Sequence, residues 1–151
     1  MPHAQAYIHT AWRETSPGWL LALAAMLGFR HPANGPLAIC DLACGTGYSA
    51  ALTAACVPSA TVDGFDADAG HIETAERLAR SATLGNIRFD TADIRRLAND
   101  PPRTYDIIVV HGVLSWVQPD VREAIFRFAG SALKDGCLLY TSPSPRDRQK
   151  S

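Results

Sequence analysis

Four short apolar runs alternate with stretches of helical periodicity, and this alternation constrains the fold more than any other feature of the chain. The runs are "LAICDLA", "ATVDGFDAD", "IRFDTAD" and "YDIIVV". Each is short enough for a buried strand, and each stops at an acid, a glycine or a turn. Between them lie "YSAALTAACV", "DAGHIETAERLARSATLGN" and a loop with one helical turn, "IRRLANDPPRT". A further helix, "QPDVREAIFRFAGSALKDG", precedes "CLLYTS", which reads as a fifth strand. Strands that alternate with helices predict crossover connections and a parallel sheet covered on both faces, an α/β doubly wound fold.

Local signals place the helix ends and faces. In "TSPGWLLALAAMLGF", Ser16 suits the N-cap, Pro17 the first helical position and Gly28 the stop, with Trp19, Leu23 and Met26 on one face. In the helix after the second strand, Ile72, Ala75, Leu78 and Ala82 are expected inward. Glu73/Arg77 and Glu76/Arg80 are spaced to pair on the outside. In the last helix Val121, Ile125 and Phe128 are expected inward, with Gly136 after its end.

Composition limits the function classes. The 151 residues are 47% hydrophobic and 19% charged, enough for one globular domain with its own core. A net charge of −1 with mixed signs gives no reason to expect nucleic acid or a membrane surface as partner. No apolar run of about 18 residues suggests a membrane span. The start lacks a basic segment leading into an apolar one, so no secretory signal is expected and a cytoplasmic location follows. Cys40, Cys44, Cys56 and Cys137 have no C-x-x-C spacing, which predicts buried free thiols and no metal site.

Ligands of doubly wound sheets bind beyond the carboxyl ends of the strands, where strand order reverses. After the first run stand Asp41, Ala43, Cys44, Gly45, Thr46 and Gly47. The glycines let the backbone approach a ligand, and the following helix offers free N–H groups. After the second run stands Asp66, with Ala67 beside it, suited to accept two hydrogen bonds from a ribose diol. After the third come Asp93 and Ile94, and after the fourth "HGVLSWV", His111 to Val117. Singly, each has a plain structural reading: a tight turn, a helix cap, a structural histidine, a core Trp116. Jointly they describe one acid-lined crevice.

Two ligands fit that crevice. "GTGYSA" matches the G-x-G-x-x-G/A dinucleotide fingerprint, with Asp66 about 20 residues on, which favours NAD and an oxidoreductase. Asp41 opposes it, because a carboxylate facing a pyrophosphate is costly. A sulfonium and an ammonium suit Asp41 better, and S-adenosylmethionine (SAM) carries both. Asp41 and the loop would then hold the methionine part, Asp66 the ribose and Asp93 the adenine amino group.

"AICDLACGTGYSA", "VDGFDAD", "FDTADI" and "YDIIVVHGVLSWV" resemble, in order and spacing, the cofactor motifs of class I SAM-dependent methyltransferases. "SPGWLLALAAMLGFRHP" and "VHGVLSWVQPDVREAI" further resemble bacterial methyltransferases that carry a downstream methyltransferase regulatory domain. The likeness covers roughly residues 5 to 136. One departure is Ala43-Cys44, where such patterns often hold a third glycine. The resemblance implies a Rossmann-like sheet, SAM as cofactor and direct SN2 methyl transfer. It leaves the acceptor open between a protein side chain and a small molecule. His111 stands where a base or an acceptor-orienting group would be. No Asn/Asp-Pro-Pro-Tyr/Phe signature follows the fourth strand, so nothing suggests methylation of nucleobase or glutamine nitrogen. A SAM-binding module without catalysis is the third reading.

The closing "CLLYTSPSPRDRQKS" resembles a translated transposase-type sequencing adapter over Cys137 to Asp147. Residues 1–136 are therefore expected to be the front of a methyltransferase domain, truncated after about the fifth strand. Residues 137–151 are expected to be a non-native tail, though "CLLYTS" is apolar enough to dock as a strand whatever its origin. Weak or no turnover of this chain is expected, because the acceptor site would be incomplete. A natural disordered tail is the alternative.

Overall fold

The computed structural model describes residues 10, 12–29 and 35–142. A 3-10 turn at Arg13–Thr15 leads into helix α1 (Pro17–Met26). There follow β1 (Ala38–Leu42), α2 (Tyr48–Cys56), β2 (Thr61–Asp66), α3 (Ala69–Ser81) and β3 (Ile87–Thr91). A short α4 (Ile94–Leu97), β4 (Tyr105–His111), α5 (Pro119–Ala132) and β5 (Leu133–Ser142) complete the order. All neighbouring strands pair parallel, in the order β3-β2-β1-β4-β5. The fold is therefore the expected Rossmann-like doubly wound sheet. The chain leaves β1 in one direction for β2 and β3, then returns to lay β4 on the other side of β1. The gap above β1 and β4 is the switch point.

Alternation along the strands divides the core in two. Ile39, Val62, Phe89 and Ile107 face the layer of α2 and α3, where Ala50, Ala54, Ile72 and Ala75 are buried. Cys40, Phe65, Ile108 and Val110 face α5, where Ala124, Ile125 and Phe128 are buried. The small alanines of α2 let it lie close to the sheet. Two buried aspartates sit away from the switch point and are paired, as burial demands. Asp63 accepts from Tyr105 Oη at 2.9 Å and faces the guanidinium groups of Arg103 at 3.1 Å and Arg88 at 3.5 Å. Asp106 accepts from the Ala38 amide at 2.7 Å and Lys134 Nζ at 2.9 Å, tying β1, β4 and β5 together.

Helix ends follow the local signals. Ser16 caps α1 by accepting from the Trp19 amide, and Gly28 takes φ +85° beyond its end. Asp68 caps α3, and the pairs Glu73–Arg77 (4.0 Å) and Glu76–Arg80 (3.4 Å) form outside as expected. Helix faces needed correction. In α1 the buried residues are Pro17, Leu20 and Ala24, while Trp19, Leu23 and Met26 lie on the exposed side, Met26 at 84%. That helix is apolar all round, so periodicity could not choose a face. In α3, Ala79 is buried, Leu78 is half-buried and Ala82 is exposed. Helix α5 ends at Ala132, not near Gly136, because Leu133 already pairs with Tyr105 and the register shifts before Ile107 meets Leu138. Cys56 is exposed, contrary to a uniformly buried set of thiols. Residues 143–151 of the tail lie outside the described residues. No helix among the described residues is long and apolar enough to cross a membrane.

One side chain closes the α2–β2 corner. Asn86 Nδ2 donates to the carbonyls of Ala54 (3.0 Å), Val57 (3.3 Å) and Ala60 (3.0 Å). Asn86→Ala removes this donor from all three carbonyls, of which that of Val57 keeps the Ala60 N–H at 2.9 Å. The expected loss is about 2 kcal/mol, seen as a lower urea midpoint with an unchanged m-value.

Candidate functional site

The carboxyl edge of the sheet carries every strand end singled out from the sequence. β1 delivers Asp41, almost fully buried, and the chain then turns sharply through Ala43, Gly45 and Gly47, all at positive φ (60°, 56° and 73°). Two backbone bonds shape this turn: Cys44 N–H donates to the Phe65 carbonyl and Gly47 N–H to the Cys44 carbonyl, both at 3.0 Å. Gly47 is the N-cap of α2 and has no side chain to cap with. A Cβ there would stand 2.5 Å from Ala75 Cβ and 2.6 Å from the Phe89 ring, so close contact with α3 and β3 excludes one.

Asp66, at the end of β2, braces the turn. One carboxylate oxygen accepts from Gly45 N–H at 2.8 Å; the other accepts from Asp68 N–H at 2.9 Å and meets His71 Nδ1 at 3.3 Å. A carboxylate has about four acceptor positions, so capacity remains on the crevice side.

The crevice has two lobes that share Ala43. The polar lobe, about 490 Å³ with its mouth, is lined by Asp41, Cys44, Thr46, Tyr48 and His111, and by Thr10, Trp12 and Thr15 of the leading segment. The other lobe, about 500 Å³, is apolar: Leu42, Phe65, Ile94, Val113, Val117 and Val121 form walls with Asp66 and Ala67 at the edge. No lysine or arginine lines either lobe among the described residues.

Electrostatics set the polar lobe apart. Burial, and secondarily the charge of Asp66, push the Asp41 carboxyl up to about 7. Burial first, then Asp41 and Asp66, raise the Cys44 thiol, so this sulfur is no ready nucleophile. Thr46 Oγ1 is buried in the same lobe and makes no hydrogen bond within the described structure. A buried hydroxyl in that condition calls for a ligand or water.

The remaining sequence candidates lie at the rim. His111 ends β4 and lines the polar lobe; its Nδ1 lies 2.8 Å from Ser142 Oγ. Its ring lies parallel to Tyr140 at 6.3 Å and tilted against Trp12 at 5.3 Å. Asp93 caps α4, accepting from Arg95 N–H at 2.9 Å, and its carboxylate is gripped by the Arg95 guanidinium at 2.9–3.2 Å. That hydrogen bonding holds the Asp93 carboxyl below its ordinary value. Arg95 also reaches Asp120 at 3.1 Å, joining α4 to α5. Asp93 itself lines neither lobe, whereas its neighbour Ile94 does. Trp116, whose plain structural reading is core packing, is 53% exposed. Sequence reasoning missed Thr10, Trp12, Thr15 and Tyr48. It contained Val113 and Val117 within "HGVLSWV" without assigning them a wall.

Comparison with known proteins gives a consistent picture. Residues 39–136 match a family described as a methyltransferase domain. An uncharacterised protein of Synechocystis is 38% identical over 103 residues, 68% of this chain and 20% of that protein. The trans-aconitate 2-methyltransferase of Methylobacterium nodulans is 32% identical over 93% of this chain and 49% of its own length. The malonyl-[acyl-carrier protein] O-methyltransferase of Halalkalibacterium halodurans is 31% identical over 77% of this chain and 42% of its own. Among solved structures, PKMT2 of Rickettsia typhi in complex with AdoHcy superposes with a TM-score of 0.83 at 24% identity, over 88% of this chain and 25% of that one. The chain thus spans less than half the length of each of these proteins.

Proposed function

The chain belongs to the methyltransferase domain family, and from that premise we propose that its two-lobed crevice binds SAM and serves methyl transfer. One observation carries the reading: a buried carboxylate and an orphaned hydroxyl, Asp41 and Thr46, line one lobe, and an apolar slot edged by Asp66 forms the other. The residues fit such a ligand. A zwitterionic, cationic methionine part suits a lobe with a carboxylate, a free hydroxyl and, among the described residues, no lysine or arginine; a pyrophosphate would meet two carboxylates and, among those residues, no compensating charge. The same contrast disfavours NAD.

When bound, SAM supplies an electrophilic methyl group and a neutral thioether leaving group. The chain's own residues bind and orient. Asp41, Thr46 and the Gly45–Gly47 backbone are assigned to the methionine part. Asp66 is assigned to the ribose hydroxyls, with Ala43 and Cys44 flooring the turn between the lobes. Ala67 and Ile94 are assigned to the adenine ring, with Asp93 at its rim. His111, which lines the polar lobe, is assigned to take a proton from an acceptor or to orient it. Alignment of donor and acceptor is the main contribution such a site makes.

The acceptor, a protein side chain or a small molecule, is proposed to be held partly by sequence outside this chain, since the relatives are at least twice its matched length. The proposed division at Gly136 is supported by the family match stopping there, before the adapter-like tail. An independent reading of the source DNA beyond that codon tests it.

Thermal unfolding tests the cofactor. S-adenosylhomocysteine (SAH) or SAM at about 100 times Kd stabilises by about 2.7 kcal/mol, which raises Tm by roughly 5–10 °C. NAD and NADH are expected to leave Tm unmoved. A shift with NADH and none with SAM or SAH would reverse the assignment.

A further inference from the structure

Helices α3 and α5 show solvent a charged face, through Glu73–Arg77 and Glu76–Arg80 on the first and Glu123–Arg127 on the second. Helix α1 does not. No charged residue stands between Glu14 and Arg30. One side of α1 buries Pro17, Leu20 and Ala24 against the rest of the domain. The other side turns Trp19, Leu23, Met26 and Leu27 to solvent, Met26 at 84% and Leu27 at 68%, and exposed Phe29 follows. Single exposed apolar residues are ordinary. Four on one helix face, with no charge among them, mark an interaction surface.

The face has a shape that fits a second copy of itself. Two adjacent i,i+4 rows run along it: Gly18, Ala22 and Met26, and beside them Trp19, Leu23 and Leu27. The first row is hollow at its start, since a Cβ on Gly18 would meet nothing within 4 Å. We propose that α1 pairs with α1 of a second copy of this chain, antiparallel, about a two-fold axis between Ala22 and Leu23. In that register Leu27 of the second copy fills the hollow at Gly18, Leu23 covers Ala22, and Met26 lies on Trp19, a thioether against an aromatic ring. Each contact occurs twice, as an isologous interface requires.

The helix ends favour the same partner and the same direction. α1 has no acid in its first turn and no base in its last, so its own side chains meet neither pole of its dipole. Antiparallel pairing sets each pole beside its opposite. Arg13 holds its guanidinium 4.8 Å from the centre of the Trp19 ring. With Met26 of the second copy on that ring, Arg13 stands at the second copy's C-terminal turn, where a cation is favoured. A parallel pair would bring the two Arg13 side chains together instead.

Two ten-residue helices make a small interface, so the pair should be weak. Sedimentation velocity of the 151-residue chain over a concentration series should show monomer and dimer in exchange, with a dissociation constant of about 10–100 µM. Leu23→Glu sets two carboxylates together at the axis and should weaken the pair by at least about 100-fold. Met26→Glu, at the most exposed position of the face, should also dissociate it, and both variants should keep the parent's far-UV circular dichroism. Ala22→Cys, beside the axis and in a Cys56→Ser background, should crosslink to its own copy through a short bis-maleimide. The exposed Cys56 of the parent should not. A chain that stays monomeric throughout overturns the pairing. So does a dimer that survives both glutamates, because it then joins another face, such as the outer edge of β5. Binding to neutral phosphatidylcholine vesicles with no self-association overturns it as well and assigns the face to lipid. None of these readouts involves the cofactor, so this inference and the SAM reading stand or fall separately.

Discussion

Gly47→Ala is expected to destabilise the chain by about 2–5 kcal/mol. Gly47 sits at φ +73°, where an L-residue costs about 1–2 kcal/mol. The added methyl would also lie 2.5 Å from Ala75 Cβ and 2.6–2.7 Å from the Phe89 ring. Ala75 is fully buried on α3, has no rotamer to turn and can move only with its helix. Overpacking of this kind costs a further 1–3 kcal/mol or so. Together they remove about 2–5 kcal/mol from a domain whose total is of order 5–15. Far-UV circular dichroism and the urea midpoint provide the check. Gly64→Ala is the comparison: its methyl would also meet Phe89 at 2.5 Å, but its backbone is extended and Ala75 is not involved. It should fold with the smaller loss. If Gly47→Ala unfolds within about 0.5 kcal/mol of the parent, the close approach of α2, α3 and β3 at the turn is wrong.

The turn illustrates which parts of the molecule the sequence exposes. Asp41, Gly45, Asp66 and Ile94 could be placed because a parallel sheet sends every strand end to one edge, and strand ends are marked by local chemistry. The apolar runs are two-sided, so strands were legible even where their partners were not. Helix faces were legible only where polar residues broke the pattern. In α3 the charged pairs declare the outside; in α1, "PGWLLALAAM" declares none, and the side carrying Trp19 and Met26 turned out exposed. Thr10, Trp12 and Thr15 reach the polar lobe by the packing of a segment that precedes the sheet, a non-local fact with no spacing rule behind it. Asp93 shows the opposite limit. It follows β3 as expected and takes the cap role that the sequence left open, and it also holds the Arg95 guanidinium, a pairing two residues apart that no spacing rule pointed to. The end of α5 was misplaced because "LKDG" has helical neighbours, while an edge beside β4 offered Leu133 a ladder to join.

Asp66→Ala is expected to weaken SAH binding by at least about 100-fold. Two effects act in the same direction. The carboxylate would lose its hydrogen bonds to the ribose hydroxyls, each charge-assisted and worth about 1.5–3 kcal/mol. Gly45 N–H and Asp68 N–H would lose their acceptor, so the turn that positions Thr46 and Gly47 would loosen. Stability without ligand should fall by only about 1–3 kcal/mol, within reach of a folded protein at low temperature. Asp68→Ala separates the two effects. Asp68 caps α3 through Gly70 and His71 and lines neither lobe. It should cost about 1 kcal/mol of stability and leave SAH affinity unchanged. Calorimetric titration with SAH measures the affinity of each variant. Weakening below about threefold would reduce Asp66 to a brace for the turn.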